Sequence, residues 1–445
     1  MSPAAERSGR SAHSEGAVIP GLEVSLWERL LSPENLGQAL KRVEVNRGAP
    51  GADGMTTGEL RPWLHEHWVS VREALDAGTY QPSPVRRVVI PKPGGGERLL
   101  GVPTCLDRLV QQAIAQVLTP VFDPHFSESS FGFRPGRSAH QAVRVARQCI
   151  EDGLEWVADI DLDRFFDRVQ FDVLMARVAR KVTNRKILRL IRRYLEAGVM
   201  IDGIRQVTAE GTPQGSPLSP VLSNIMLDDL DRELGKRGHR FVRYADDLRV
   251  FVRSKRAAQR VLDGVTDVVE RRLQLKVNRE KSSVRHAADA TLLGFGFSLH
   301  GPKPRIRVAG KAVTRLKNQL RTLTRRNWSV PMEYHIGRLN RFTTGWMAYF
   351  RLADTGNLVR ETDRWLRRRL RQIRWKEWKT TAARRHNLRV RGISESNVRK
   401  WGGSSKGYWR IAGSQVLGVA LPNTYWEHLG LKTMTATRQR FNQTA

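Results

Sequence analysis

Residues 156–163 read Trp-Val-Ala-Asp-Ile-Asp-Leu-Asp. Side chains along a strand alternate between its two faces. Ala158, Ile160 and Leu162 then share one face, and Asp159, Asp161 and Asp163 share the other. Three carboxylates on one strand face repel each other unless cations or basic side chains lie against them. A hard divalent cation bound through oxygen is the natural solution. A solvated edge strand is the plainer alternative, because D-x-D patterns are short and common.

A second acidic segment lies in Arg240–Arg253, where two β-rich runs flank Asp246-Asp247. That is the pattern of a hairpin with a tight acidic turn. Adjacent like charges at a hairpin tip are unfavourable without a counter-charge. One acid from a neighbouring strand and two from the hairpin tip could hold two Mg²⁺ about 3.5–4 Å apart, the arrangement that phosphoryl transfer uses. Between the two segments, Gly211-Thr-Pro-Gln-Gly-Ser-Pro-Leu-Ser-Pro220 is a breaker-rich turn ahead of a helix. The core face of that helix is Val221, Leu222, Ile225, Met226, Leu230 and Leu234. Its glycines would let backbone approach a ligand closely.

Charge narrows the class of partner. Of 445 residues, 76 are Lys or Arg and 44 are Asp or Glu, a net of +32. From Gly301 onward there are 32 basic and 7 acidic residues, and 8 of the 12 tryptophans. A nearly balanced front is therefore joined to a very basic, Trp-rich back, the footprint of a polyanion grip. Within the back, residues 357–379 carry a helical stripe of Leu358, Thr362, Leu366, Leu370 and Ile373. Arg364, Arg367, Arg368, Arg371 and Arg374 surround it, and no acid lies between Arg364 and Lys376. Trp375, Trp378, Trp401 and Trp409 are candidates to stack unpaired bases, with one or two expected to do so. Two cysteines, Cys105 and Cys149, are too few for a disulfide framework or a Cys-rich zinc site and read as small buried hydrophobes. No signal peptide is evident, and no run approaches the roughly 20 apolar residues of a membrane span. The expectation is a soluble protein of a reducing compartment.

Along the chain, Met1 to about Gly21 reads as a polar tail. A helical pattern over Leu22–Val45 is broken at Ser32-Pro33, and a breaker-rich loop covers Gly48–Gly54. Strands at Arg86–Ile90 and Arg98–Val102 flank a Gly-rich turn, and a helix covers Asp107–Val121. Lys92 and Arg98 bracket that turn, where both could reach a triphosphate. No solenoid or propeller period is present.

The tetrad Tyr244-Ala-Asp-Asp247, Pro213-Gln-Gly215, Phe165-Phe-Asp167 and Phe131-Gly-Phe-Arg-Pro-Gly136 occur in one chain. So do Lys281 in Asn278-Arg-Glu-Lys281 and Leu293-Gly-Phe295. The set, covering about Gly48 to residue 430, resembles a group II intron-encoded reverse transcriptase, or maturase. The resemblance implies an α+β right-hand polymerase, with fingers and an antiparallel palm sheet followed by an α-helical thumb. It selects Asp161, with Asp246 and Asp247, as the ligands of two Mg²⁺. It leaves Asp163 as an extra acid expected to point away from the ions or to pair with Arg164. It makes Phe166 the gate that rejects a 2′-OH, with Phe165 a core residue. Gln214 would lie under the nascent base pair, Lys92 and Arg98 on the triphosphate, and Lys281 where pyrophosphate is protonated as it leaves. It gives the basic helix, including Trp375, to intron RNA, and the region from about Arg391 to DNA.

The expected organisation is a tail (1–21), an N-terminal extension and start of fingers (22–84), fingers and palm (85–300), a thumb or maturase domain (301–390) and a basic DNA-binding region (391–445). The expected activity is RNA-directed DNA synthesis, with splicing and retrohoming assistance. The partners would be intron RNA, a DNA target and primer, and dNTPs, with no membrane. The expected setting is a bacterial-type cytoplasm, with association to the nucleoid through DNA. Since no Cys follows Cys149, no His-Asn-His endonuclease is expected. The alternatives are a splicing-only RNA-binding maturase, a host-repurposed reverse transcriptase and a metal-dependent glycosyltransferase using Asp161-Leu-Asp163. The intact acids argue against the first, and the basic back against the last.

Overall fold

The computed structural model describes residues 21–91, 97–201, 204–206, 211 and 215–443. The chain divides into two compact units. The first comprises Met1–Ala146 with Trp156–Arg285, and the second comprises Arg147–Glu155 with His286–Ala445. No helix among the described residues is long and apolar enough to cross a membrane.

The first unit mixes helices with two four-stranded sheets. Ser32-Pro33 breaks the N-terminal helical pattern as its chemistry requires. One helix ends at Leu30, and the next, Pro33–Asn46, starts with Pro in its first turn. The Ser32 side chain accepts from the Asn35 amide at 3.3 Å. The Cys105–Phe122 helix is capped in the same way by Thr104 and is buried on most sides. In one sheet, Val85–Pro91 pairs antiparallel with Glu97–Val102 and parallel with Val199–Ile201, which turns back into Ile204–Gln206.

The other sheet has the order Arg240–Tyr244, Asp247–Val252, Trp156–Asp161, Ser283–His286. Its first three strands are antiparallel. The apolar residues of these strands, among them Ile160, Phe241, Leu248 and Val250, join one core with the helices. The Ser219–Lys236 helix adds Val221, Leu222, Ile225, Met226, Leu230 and Leu234, the face read from spacing. Both free cysteines are buried.

The second unit is not wholly helical. Thr291–Leu292, Phe295–Ser298 and Arg305–Val308 form a three-stranded antiparallel sheet, in which Ile306 is buried between exposed Arg305 and Arg307. Helices Gly310–Leu323, Met332–Tyr349, Gly356–Glu377 and Thr381–Val390 follow, then shorter ones up to Met434–Gln443. A single apolar core runs through them from Leu316 to Met434, across the point near residue 390 where the sequence reading changes segment. In Gly356–Glu377 the buried stripe is Val359, Thr362, Asp363, Leu366, Leu370 and Ile373, with Leu358 half-buried beside it. Asp363 is buried because it caps another helix. It accepts the Met434 and Thr435 amides at 2.9 Å each, and the Thr435 hydroxyl at 2.7 Å.

Candidate active site

The acidic face is built by register. Trp156–Asp161 and Asp247–Val252 pair so that Asp161 stands opposite Asp247 and Asp159 opposite Arg249. Asp247 is also opposite Tyr244, so the hairpin turn is the two residues Ala245-Asp246 rather than the Asp246-Asp247 pair. Ala245 adopts a left-handed backbone, φ 58°, which lets a two-residue loop follow the twist of its strands. Asp246 thus leaves from the turn and Asp247 from the strand end beside Asp161.

Electrostatics at this face are unfavourable to the acids taken singly. Burial pushes the Asp161 carboxyl up, and Asp247 and Asp163 add repulsion, while Lys281 and Arg249 oppose the shift. Burial likewise pushes Asp159 up to about 6 against the pull of Arg249. The Arg249 guanidinium bonds Asp159 at 2.8 Å and also bonds Asp247. Sequence reasoning missed this arginine, although the period of two that aligns Asp247 with Arg249 on one strand face pointed to it.

The loop that carries Lys281 is tied to Asp161 from both sides. The Asp161 amide donates to Ser282 Oγ at 3.0 Å, and the Asn278 amide donates to the Asp161 carbonyl at 2.8 Å. Lys281 is itself exposed, and its charge is the largest influence offsetting the burial of Asp161.

Asp163 lies past the end of the strand. The strand ends at Asp161, and Leu162 makes an isolated bridge to Val277. Arg164 takes a left-handed conformation, φ 48°, that starts the 3₁₀ turn Phe165–Asp167. This turn follows Asp163, which pairs with Arg168 at 3.0 Å and not with Arg164. Phe165 is buried, and Phe166 is half-buried edge-on to it, with ring centroids 5.1 Å apart. Gly211 and Gly215 meet backbone of their own chain. A Cβ on Gly211 would lie 3.0 Å from the Asp167 carbonyl oxygen, and one on Gly215 would lie 3.1 Å from that of Gly101. Lys92 and Gln214 lie outside the described residues, as does the side chain of Arg98.

Oxygen-rich, partly desolvated carboxylates fit a hard divalent ion better than any softer one. Among the described residues, however, no three His, Cys, Asp or Glu side chains stand close enough together to hold one ion, and Arg249 engages Asp247. The donor chemistry fits the ion, and Asp161 and Asp247 are the acids that the register sets opposite each other.

In the second unit the basic helix is partly committed to its own fold. Arg368 donates to the Trp409 carbonyl at 2.9 and 3.2 Å and stacks on that ring at 4.1 Å. Arg371 donates to the Leu421 carbonyl at 3.2 Å, and Arg374 pairs with Glu377 at 2.7 Å. Arg364 is exposed and Arg367 half-buried. Trp375, expected among the RNA contacts, is 1% exposed and packs against Trp378, so it is a core residue and offers no face to a base. Trp409 is the exposed ring of the four candidates, and Trp401 is half-buried.

Comparison with known proteins bears on the acidic face and the basic helix together. The reverse transcriptase (RNA-dependent DNA polymerase) family matches residues 90–297, and the group II intron maturase-specific domain matches residues 313–392. The chain belongs to the group II intron reverse transcriptase–maturase family. Protein YkfC of Escherichia coli K12 is 32% identical over 325 residues, covering 64% of this chain and 84% of that protein. Group II intron-encoded protein LtrA of Lactococcus lactis subsp. cremoris is 34% identical over 208 residues, covering 46% of this chain and 34% of LtrA. The chain thus spans most of YkfC but about a third of LtrA. A solved partial Cas6-RT-Cas1–Cas2 complex is similar at a TM-score of 0.35 and 27% identity, over 54% of this chain and 42% of that one. The maturase-type match begins beyond the three-stranded sheet, and all four expected catalytic residues fall inside the reverse transcriptase match.

Proposed function

We propose that this reverse transcriptase–maturase extends a DNA primer on an RNA template and binds a group II intron RNA to assist its splicing and mobility. The observation that carries the reading is the register that sets Asp161 against Asp247, one residue from the turn bearing Asp246. In this reading the first unit supplies fingers and palm, and the second supplies the helical thumb. Asp161, Asp246 and Asp247 would hold two magnesium ions. When bound, these ions supply the charge that favours the primer hydroxylate and offsets the triphosphate. The rest of the work falls to side chains of the chain itself.

Lys281 and Arg249 oppose the burial and like charge that push the Asp161 carboxyl up, and Arg249 also bonds Asp247. Lys281, held beside Asp161 by the Ser282 and Asn278 hydrogen bonds, gives a proton to departing pyrophosphate. Phe166 packs edge-on against Phe165 and fills the space a 2′-OH would need. Lys92 and Arg98 bind the triphosphate, and Gln214 lies under the nascent pair. Arg364 and Arg367 bind RNA phosphates, while the segment from Arg391 onward contacts DNA. Primer extension on a poly(A) template, measured beside RNA filter binding, tests the reading. Asp246→Ala should abolish extension and leave RNA affinity unchanged, whereas extension at the wild-type rate would remove Asp246 from the chemistry.

A further inference from the structure

The catalytic turn is gripped from beneath by a charge pair that the reaction itself does not use. Arg243 and Asp231 are each 1% exposed, as is Asn224. The Arg243 guanidinium donates Nε to Asp231 Oδ1 at 2.7 Å and Nη2 to Oδ2 at 2.5 Å. Its remaining arm, Nη1, donates to Asn224 Oδ1 and to the carbonyl of Ala245, both at 2.9 Å. Asp231 and Asn224 lie seven residues apart on the Ser219–Lys236 helix, two turns along one face.

A second strap reaches the turn through Asn224 and Gly132. Asn224 Nδ2 donates to the Gly132 carbonyl at 3.0 Å. The Phe131 amide donates to the Arg243 carbonyl, and the Arg243 amide to that of Ser129, both at 2.9 Å. Gly132 lies so close that a Cβ there would stand 2.2 Å from the Ala245 nitrogen. Arg134, with its side chain buried, in turn holds this loop through the Ser127 and Ser130 carbonyls at 2.6 and 2.9 Å.

A buried ion pair is a poor way to gain stability, because well-packed apolar residues of the same volume often do as well. A forked donor can do something apolar residues cannot, which is to fix the direction of a carbonyl. The Ala245 carbonyl lies in the same rigid peptide plane as the Asp246 nitrogen. Ala245 also has a backbone conformation that L-residues adopt at a cost and that persists only where its surroundings over-determine it. We infer that Arg243, oriented by Asp231 and Asn224, is a positioning residue that fixes the Ala245–Asp246 peptide and so aims the Asp246 and Asp247 carboxylates. This rests on the polymerase reading for its consequence, but not for its geometry.

The double substitution R243M/D231L removes the fork while keeping buried volume. We expect it to fold with wild-type RNA affinity and a lowered melting temperature, because the buried Asn224 Oδ1 and Ala245 carbonyl lose this donor. Its kcat for primer extension should fall about tenfold to a hundredfold with little change in KM, the loss that a misplacement of about 1 Å brings. Amide hydrogen exchange at Ala245, Asp246 and Asp247 should accelerate in the same variant. Arg243→Lys, which keeps the charge but not the fork, should fail to restore either property. Should the double variant not fold, Asn224→Ala removes one orienting partner of Arg243, together with its bond to Gly132, and should shift kcat and turn exchange in the same direction. Folded variants with wild-type kcat and wild-type exchange at the turn overturn the inference. A wild-type protein that extends no primer overturns the polymerase reading instead, and the exchange measurement still decides whether Arg243 orders the turn.

Discussion

Asp161 and Asp247 are directly opposed residues of one antiparallel ladder. Burial and neighbouring acids disfavour the Asp161 carboxylate, and the ladder that pairs Ala158 with Val250 in the core holds it opposite Asp247. The sheet therefore pays for the acidic face through its apolar one, and loss of Asp161 should relieve the fold while ending the chemistry. Asp161→Asn is expected to raise the melting temperature by about 2 °C, on the order of a 0.5–1 kcal/mol gain in a unit of this size. Primer extension should become undetectable. A scanning-calorimetry trace with a lower midpoint than wild type would show that repulsion is not what burdens this face.

Phe166 is the half-buried ring of a pair whose other member is core. Phe166→Ala should raise the ratio of rNTP to dNTP incorporation on the order of tenfold, because a steric exclusion is removed. The fold should be retained, since Phe165 keeps the packing. An unchanged ratio in single-nucleotide extension would return Phe166 to a structural role.

Arg249 balances Asp159 and Asp247 with a side chain only 11% exposed. Arg249→Leu leaves two acids without that partner and should cost about 3 kcal/mol of stability, the penalty for breaking one side of a buried pair. Urea unfolding of the R249L protein measures this. Adding Asp159→Asn should recover part of the loss, and a double variant no more stable than the single one would count against the pairing.

The arginines of the basic helix should separate into two groups. Arg364→Gln with Arg367→Gln should flatten the slope of log K against log salt by about 1.5 units, near 0.7–0.9 for each phosphate contact. Arg368→Gln and Arg371→Gln should instead lower the melting temperature, since these side chains bond the Trp409 and Leu421 carbonyls. Filter binding at several salt concentrations tells the groups apart, and equal slopes for both pairs would contradict the division.

Asp229 offers a pH test. Burial pushes its carboxyl up, but hydrogen bonding and charge from Arg180 and Arg177 outweigh it and hold the group below the usual carboxylate range. A depressed folded value means that the unfolded chain takes up the proton first. The stabilisation is then complete above the unfolded value near 3.8 and is lost as pH falls through the lower folded one. Stability of Asp229→Asn should accordingly depend less on pH below about 4 than wild type does. Parallel acid titrations of the two would disprove the linkage.

Much of this was readable from spacing, because local rules set it. Alternation placed Asp159 and Asp161 on one face, and the helical stripe of 219–236 matched its buried side. The breaker at Ser32-Pro33 became a cap. The parts that were not readable depend on distant chain. Asp163 lies past a strand that ends at Asp161 and is followed by the left-handed Arg164, and no residue type there announces either. Trp375 looks like a stacking ring among arginines until it joins the apolar core that also holds Leu388, Leu417 and Trp426. Arg368 and Arg371 look free until carbonyls some 41 and 50 residues further along the chain arrive to meet them. The register joining residue 161 to residue 247 is of the same kind, set by two strands that share no local signal.

Residues 147–155 belong with the second unit although the first unit's sequence surrounds them. There Glu151 meets Lys303 at 3.3 Å, and the Glu155 carbonyl accepts the Ala287 amide at 2.7 Å. Recombination between related genes at a single breakpoint near codon 286 would therefore bring a foreign maturase half against a borrowed nine-residue piece it never evolved with. Exchange of the two halves as interchangeable modules needs three breakpoints, or matching changes at Glu151 and its neighbours. Lineages of such proteins should accordingly inherit the halves together.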